Sequence, residues 1–337
     1  MNLIGEHTDY NGGFVLPVAT PQRTRVELRR TGGREVRASS AQEGPAPPFE
    51  IGAEQPVGAW VDYVAGMTRT LASMGHAVGG FELVVDSDLP VGCGLSSSAA
   101  LEVAVGRALR DAFDLDLDDV AIAVAGRRTE NEFVGVRSGP MDQLASGLAQ
   151  VDEALLIDCR SLARMPVPIP KQCELVVIDS GERHSHAGGE YGARREECEQ
   201  AAALLGVEFL CDVSPRDRRI ASLPPPLDRR ARHVIDENVR VLLAVEAMLN
   251  ENVGDFGKLL DESHDSQRDL FDVSTPHIDG LVRQARDRGA LGARLTGGGF
   301  GGSVVALAGA GGAEAIGQPG LEGSVLIPPA RPGRSPV

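Results

Sequence analysis

A mixed fold of helices and strands, in two domains of ordinary size or one large one, is what this sequence predicts. Three observations carry that expectation. The 337 residues supply ample material for a buried core. Short apolar runs of strand length, at 81–85, 155–158, 174–179 and 304–307, alternate with longer helical patterns at 99–109, 117–133 and 229–270. Between them lie glycine- and proline-rich breaks, such as the surface loop expected at 40–57 and the linker expected at 165–170.

Composition narrows the function. A net charge of −15 and a pI near 4.9 exclude nucleic acid or an anionic membrane as the main partner. They leave ATP open, because a divalent cation and helix N-termini can meet its charge locally. No apolar run approaches the roughly 20 residues of a membrane span, and no secretory leader is expected ahead of Asn2-Leu3-Ile4-Gly5. Five scattered cysteines without a C-x-x-C pair fit reduced thiols, and a cytoplasmic location is expected.

The chain is organised around Pro90-Val91-Gly92-Cys93-Gly94-Leu95-Ser96-Ser97-Ser98-Ala99, which follows the 81–85 strand and opens a helix. Small residues let the backbone approach a ligand, and a helix N-terminus offers unpaired N–H groups to an anion. A serine-capped helix needs one hydroxyl. Three consecutive serines exceed that, so the loop reads as a phosphate cradle. It is not a Walker A loop, since the only lysines, Lys171 and Lys258, lie elsewhere.

Ahead of it, residues 2–20 set Glu6, His7, Asp9 and Asn11-Gly12-Gly13 between two apolar runs. That is either a polar turn between strands or a binding site. Trp60 opens a helix reaching about Ser73, and a lone Trp there reads as core. Glu130 near the end of the 117–133 helix, Gly135 as its stop, and Asp142 just inside a helix starting at Pro140 form a helix–turn–helix segment that could aim both carboxylates at one point. Acidic residues at helix ends are ordinarily solvated or capping. His184 and His186 lack a third ligand nearby and read as solvated. Gly297, Gly299 and Gly302 satisfy G-x-G-x-x-G, but a strand follows instead of a helix, so no dinucleotide unit is expected.

Taken together, these stretches resemble the GHMP small-molecule kinases and, within them, the galactokinases. Gly94-Leu95-Ser96-Ser97-Ser98-Ala99 is similar to the second family motif, Thr296-Gly297-Gly298-Gly299-Phe300-Gly301-Gly302 to the third, and residues 2–20 to the galactokinase signature. The resemblance implies an α+β two-domain GHMP fold with its active site in the cleft between domains: an N-terminal domain at 1–165, a C-terminal domain at 166–310 and an irregular tail at 311–337. It implies ATP-dependent phosphorylation of the C1 hydroxyl of α-D-galactose. Asp142 would be the base, with Mg2+ held by Ser98 and Glu130. The sugar would be bound by Glu6, His7, Asp9, Gly139, Asp142 and Tyr191. ATP would be bound by Pro90, Gly92, Gly94, Leu95, Ser96, Ser97, Ser98, Ala99 and Trp60. Galactose and ATP are then the expected partners of a monomer. A related sugar such as N-acetylgalactosamine or arabinose, or a non-catalytic sugar and ATP sensor, are the alternatives. Family members carry Gly-Arg-Val before Asn-Leu-Ile-Gly-Glu, and that Arg supports the transferring phosphoryl group. This sequence begins at Met1 in place of the Val, so a misread start or a shortened chain, and weakened catalysis, are expected.

Overall fold

The computed structural model describes residues 1–90, 92–182, 189–318 and 324–327, so His184 and His186 lie outside the described residues. In chain order come β1 (Phe14–Val15), β2 (Thr24–Arg30), β3 (Glu35–Ser40), β4 (Gly44–Pro45), β5 (Phe49–Glu50), α1 (Val61–Ser73), β6 (Phe81–Ser87), α2 (Ser97–Phe113), α3 (Asp119–Thr129) and α4 (Met141–Leu148). Next are β7 (Glu153–Asp158), β8 (Arg164–Pro168), β9 (Cys173–Asp179), α5 (Glu190–Leu205), α6 (Leu227–Leu249) and α7 (Val253–Ser266). The order ends with α8 (Pro276–Asp287), β10 (Gly292–Thr296), β11 (Ser303–Gly309), α9 (Ala313–Ile316) and β12 (Ser324–Ile327). By their contacts the residues form two compact units: Thr20–Val91 with Ser96–Ala149, and Met1–Ala19 with Gly92–Leu95 and Gln150–Val337.

The first of these units is built on a sheet in the order β2-β6-β3-β4, with β5 against β3. Strand β6 pairs antiparallel with β2 and parallel with β3. It buries Phe81, Leu83 and Val85 while Glu82, Val84 and Asp86 face outward, the period of two that a half-buried strand requires. Helices α1, α2 and α3 close the core through Val64, Met67, Leu71, Val103, Leu109 and Ile122. Helix α3 is capped by Asp118, whose carboxylate accepts from the Ala121 N–H at 2.7 Å. It runs into a π-helical turn, Glu130–Val134, which Gly135 ends in the left-handed conformation at φ +89°. The sequence predicts the Gly135 stop but reads the π turn as plain helix.

In the other unit an antiparallel sheet runs β10-β11-β9-β12, and a second sheet runs β1-β7-β8. Strand β11 is buried along nearly its whole length, as expected of a central strand covered on both faces. Residues Val176, Ile178, Leu205, Val234, Ile278, Leu281, Leu295 and Val304 form its core. Helix α7 lies so close to β10 that a Cβ on Gly292 would sit 1.9 Å from the Gly257 carbonyl oxygen. Two glycines are what that approach demands.

Three stretches differ from their sequence reading. The supposed linker at 165–170 is the edge strand β8, in which Pro166 and Pro168 are tolerated because an edge strand has one side free of a ladder. The supposed loop at 40–57 contains β4 and β5, short strands held by β3. The tail read as irregular supplies α9 and β12, whose backbone pairs antiparallel with β9. Among the described residues no helix is long and apolar enough to cross a membrane, and no group of three or more His, Cys, Asp or Glu side chains could hold a metal.

Candidate active site

In the unit of Thr20–Val91 and Ser96–Ala149, four elements bring polar groups together. Ser96, the N-cap of α2, is in the left-handed region at φ +58° and makes no side-chain capping bond. Ser98, in the first turn of α2, donates to Glu130 Oε1 at 3.0 Å. The other oxygen, Oε2, accepts from the Ser138 hydroxyl and from Gln143 Nε2 at 3.0 Å. Gln143 Nε2 also donates to Glu102 Oε2 at 2.9 Å.

Burial raises the pKa of Glu130, with the Asp142 charge adding to it and the Ser138, Gln143 and Ser98 bonds opposing. Burial likewise pushes Glu102 well up, helped by Glu130 and Asp142. Tyr63 on α1 joins the cluster: burial and the nearby Glu130 push its hydroxyl up to about 12, while the Ser98 hydroxyl pulls the other way. Asp142 is half-buried in the first turn of α4, directly after the buried Gly139-Pro140, and among the described residues no protein group hydrogen-bonds its carboxylate. Ser98, Glu130 and Asp142 are thus brought into one neighbourhood. Trp60 stands apart, packed half-buried on the core as the N-cap of α1. The hydroxyl and carboxylate oxygens of Ser98 and Glu130 are hard donors of the kind magnesium takes while keeping waters.

The second unit holds the signature residues. Glu6 is buried, and three donors converge on its carboxylate. Oε2 receives Asn2 at 2.9 Å and the fully buried Arg294, and Oε1 receives the Gly297 N–H at 3.1 Å, with the Thr296 hydroxyl 3.3 Å away and donating to the Asn2 carbonyl at 2.8 Å. Desolvation raises its pKa to about 7 despite Arg294. His7 is also buried, at φ +64°, with Nδ1 2.8 Å from the Tyr10 hydroxyl. Among the described residues its Nε2 is buried without a hydrogen bond, the Gly298 backbone lying near it without closing one of ordinary geometry. The imidazole sits against Phe271, with centroids 4.4 Å apart, and near Tyr191 at 5.5 Å. Asp9 begins the short turn that follows.

In the same unit, Gly92 and Gly94 lie against the third glycine run. A Cβ on Gly94 would sit 3.3 Å from the Thr296 carbonyl oxygen, and the Ser303 hydroxyl donates to the Cys93 carbonyl at 2.7 Å. A cleft of about 50 Å³ opens there between Gly92, Gly94, Tyr191, Thr296, Gly298 and Phe300. Leu95 is buried beside it, and Ala99 is buried in α2.

Sequence reasoning missed Glu102, Gln143, Ser138, Tyr63 and Arg294. Glu102 and Arg294 did carry a signal, each being a lone charge inside an otherwise apolar buried run. Ser138, Gln143 and Tyr63 carried none beyond their place inside motifs.

Comparison with known proteins follows the same lines. Residues 1–30 match the galactokinase galactose-binding signature, 62–150 the GHMP kinases N terminal domain, and 244–318 the GHMP kinases C terminal domain. A galactokinase of Haemophilus influenzae (strain PittEE) is 43% identical, the match covering 91% of this chain and 83% of that protein.

The chain belongs to the galactokinase family of GHMP kinases.

Its fold agrees. The crystal structure of Lactococcus lactis galactokinase complexed with galactose matches with a TM-score of 0.88 at 33% identity, covering 94% of this chain and 86% of that one. The Methanococcus jannaschii mevalonate kinase, at 20% identity and a TM-score of 0.69, shows the shared GHMP fold alone. The galactokinase signature takes in Glu6, His7 and Asp9, and the N-terminal GHMP model takes in the serine loop, Glu130, Gly139 and Asp142. Trp60 and Tyr191 lie outside all three matches.

Proposed function

We propose that this chain is a sugar 1-kinase that transfers the γ-phosphoryl group of ATP to the C1 hydroxyl of α-D-galactose, giving galactose 1-phosphate and ADP. The observation that carries the reading is an Asp142 carboxylate that, among the described residues, no protein group hydrogen-bonds, beside the Ser98–Glu130 pair in a chain with the galactose-binding signature.

Phosphoryl transfer asks the protein for positioning, neutralised charge and a group at the attacking hydroxyl. Backbone N–H groups and hydroxyls from Gly92, Gly94, Leu95, Ser96, Ser97, Ser98 and Ala99 serve the phosphates, Pro90 lines the same loop without a donor, and Trp60 serves the adenine. Ser98 and Glu130 hold magnesium, which when bound neutralises charge on the phosphates. Asp142 accepts the C1 hydroxyl proton as that oxygen bonds to the γ-phosphorus and the bond to the β–γ bridging oxygen breaks. His7, Asp9, Gly139 and Tyr191 hold the sugar with Asp142. Glu6 belongs to the sugar set with Oε2 held by Asn2 and Arg294, so a hydroxyl there takes the direction left on Oε1 beside the Gly297 N–H.

A coupled assay of ADP release over a panel of galactose, N-acetylgalactosamine and arabinose tests this. Turnover is expected with galactose, and Asp142→Asn should lower kcat by about 10²–10⁴ with galactose binding retained. Binding without turnover in the unaltered chain, or full turnover in Asp142→Asn, overturns the reading.

A further inference from the structure

Glu102 and Gln143 are both fully buried, and neither is used by the chemistry above. They meet where α2, α3 and α4 pack together, against a glycine: a Cβ on Gly126 would lie 3.1 Å from Gln143 Cγ and 3.2 Å from Glu102 Cβ and Oε2. The single amide nitrogen of Gln143 reaches two carboxylates, Glu102 Oε2 at 2.9 Å and Glu130 Oε2 at 3.0 Å. Among the described residues its own Oε1 and Glu102 Oε1 are buried without a hydrogen-bond partner. Buried acceptors without donors are costly, and an arrangement that tolerates two of them in one contact needs a reason.

We infer that Glu102 and Gln143 are positioning residues that orient the Glu130 carboxylate. The inference rests on the reading of Glu130 as a magnesium ligand. With Glu102 Oε2 and Glu130 Oε2 both at one end of the amide, that end is the NH2, because the amide oxygen placed there would oppose two acceptor oxygens. Glu102 therefore sets which way the amide points. Gln143, together with Ser138, then ties down Glu130 Oε2 and leaves Oε1 turned toward Ser98. Gln143 follows Asp142 directly in the first turn of α4, so the same bridge fixes the start of the helix that carries the base.

The test measures Mn2+ affinity, by electron paramagnetic resonance, of the full chain bound to a non-hydrolysable ATP analogue, alongside kcat and the galactose KM. Gln143→Met, which keeps the bulk and removes the donors, should weaken Mn2+ about tenfold and lower kcat, with the galactose KM within twofold. Glu102→Leu should do the same, and Glu102→Gln, which keeps an acceptor, should restore Mn2+ affinity to within twofold of the unaltered chain. Unchanged Mn2+ affinity in a folded Gln143→Met overturns the inference, as does a Glu102→Gln variant as weak as Glu102→Leu. Where Gln143→Met does not fold, the two Glu102 variants decide. A Glu130→Gln control separates the layers. Unchanged Mn2+ affinity there removes the metal assignment itself, whereas a shift there with none in Gln143→Met removes only the positioning role.

Discussion

His7 is buried in a left-handed backbone conformation that favours glycine, Asn or Asp, and its imidazole Nε2, enclosed by Tyr10, Tyr191 and Phe271, closes no hydrogen bond among the described residues. Burial first, and the charge of nearby groups second, hold its pKa well below the ordinary value, so the ring is neutral with one donor and one acceptor nitrogen. A sugar hydroxyl would satisfy the orphaned atom. His7→Leu should therefore weaken galactose binding at least tenfold and leave ATP-analogue binding unchanged, as titration calorimetry can report; equal galactose affinity would deny His7 a sugar contact. Ser96 at φ +58° and Phe300 at φ +61° share the strained backbone, so each of the three motifs contains one non-glycine residue held there. No residue pattern announces a positive φ at a serine or a phenylalanine, because the surrounding packing imposes it. Glu6 was legible as a polar residue in a signature. Its ion pair with Arg294 was not, because the two stand 288 residues apart and only the fold joins them.

At the level of elements, the sequence was informative where periodicity was local. The alternation in β6 and the glycine stop at Gly135 are realised nearly as read. Where pairing partners decide, it was not. Strands β2 and β3 were overlooked because charged side chains such as Arg25, Glu27, Arg29 and Arg37 interrupt them, and their order comes from the ladder with β6. Nothing in residues 1–20 says that they pack with residues beyond 150. That follows from Phe14–Val15 pairing with Ile157 and Asp158. The α7–β10 approach is a similar case, since a glycine within a helix costs up to about 1 kcal/mol and reads locally as a defect. In the fold it is an opening for a strand backbone. Gly292→Ala should destabilise the chain by about 1–3 kcal/mol, the usual cost of overpacking. A lowered midpoint in urea with an unchanged slope would show it, and an unaltered midpoint would mean that the two elements can separate freely.

On the scale of the whole molecule, one unit contains a buried network: Glu237 accepts from the Gly5 N–H and Ser263, and His233 bonds Ser266 and the Glu6 carbonyl. Burial lowers His233 to about 4, with Glu237 opposing and Arg240 assisting. Below the ordinary histidine pKa the unfolded chain takes up a proton that the folded chain refuses until about pH 4. The stability this contributes is therefore complete above about 6.5 and is lost as pH falls toward 4. Carboxylates shifted upward, Glu6 among them, slope the other way, and a comparison with His233→Gln cancels them. The unaltered chain's stability relative to that variant should shrink by up to about 1.4 kcal/mol per pH unit between pH 6.5 and 4, followed by urea titration; a difference independent of pH would mean that His233 is not held neutral. Strand β8 governs behaviour beyond a single chain. The Ile169 N–H turns inward to the Asp152 carbonyl, so the nitrogens of Pro166, Pro168 and Pro170, spaced two apart, turn outward. From Pro166 to Pro168 that margin offers carbonyls and no N–H, so a neighbouring molecule seeking to extend the sheet there finds no donor for its own ladder. Crowded in a cell at high expression, this border resists the stacking of copies into fibres.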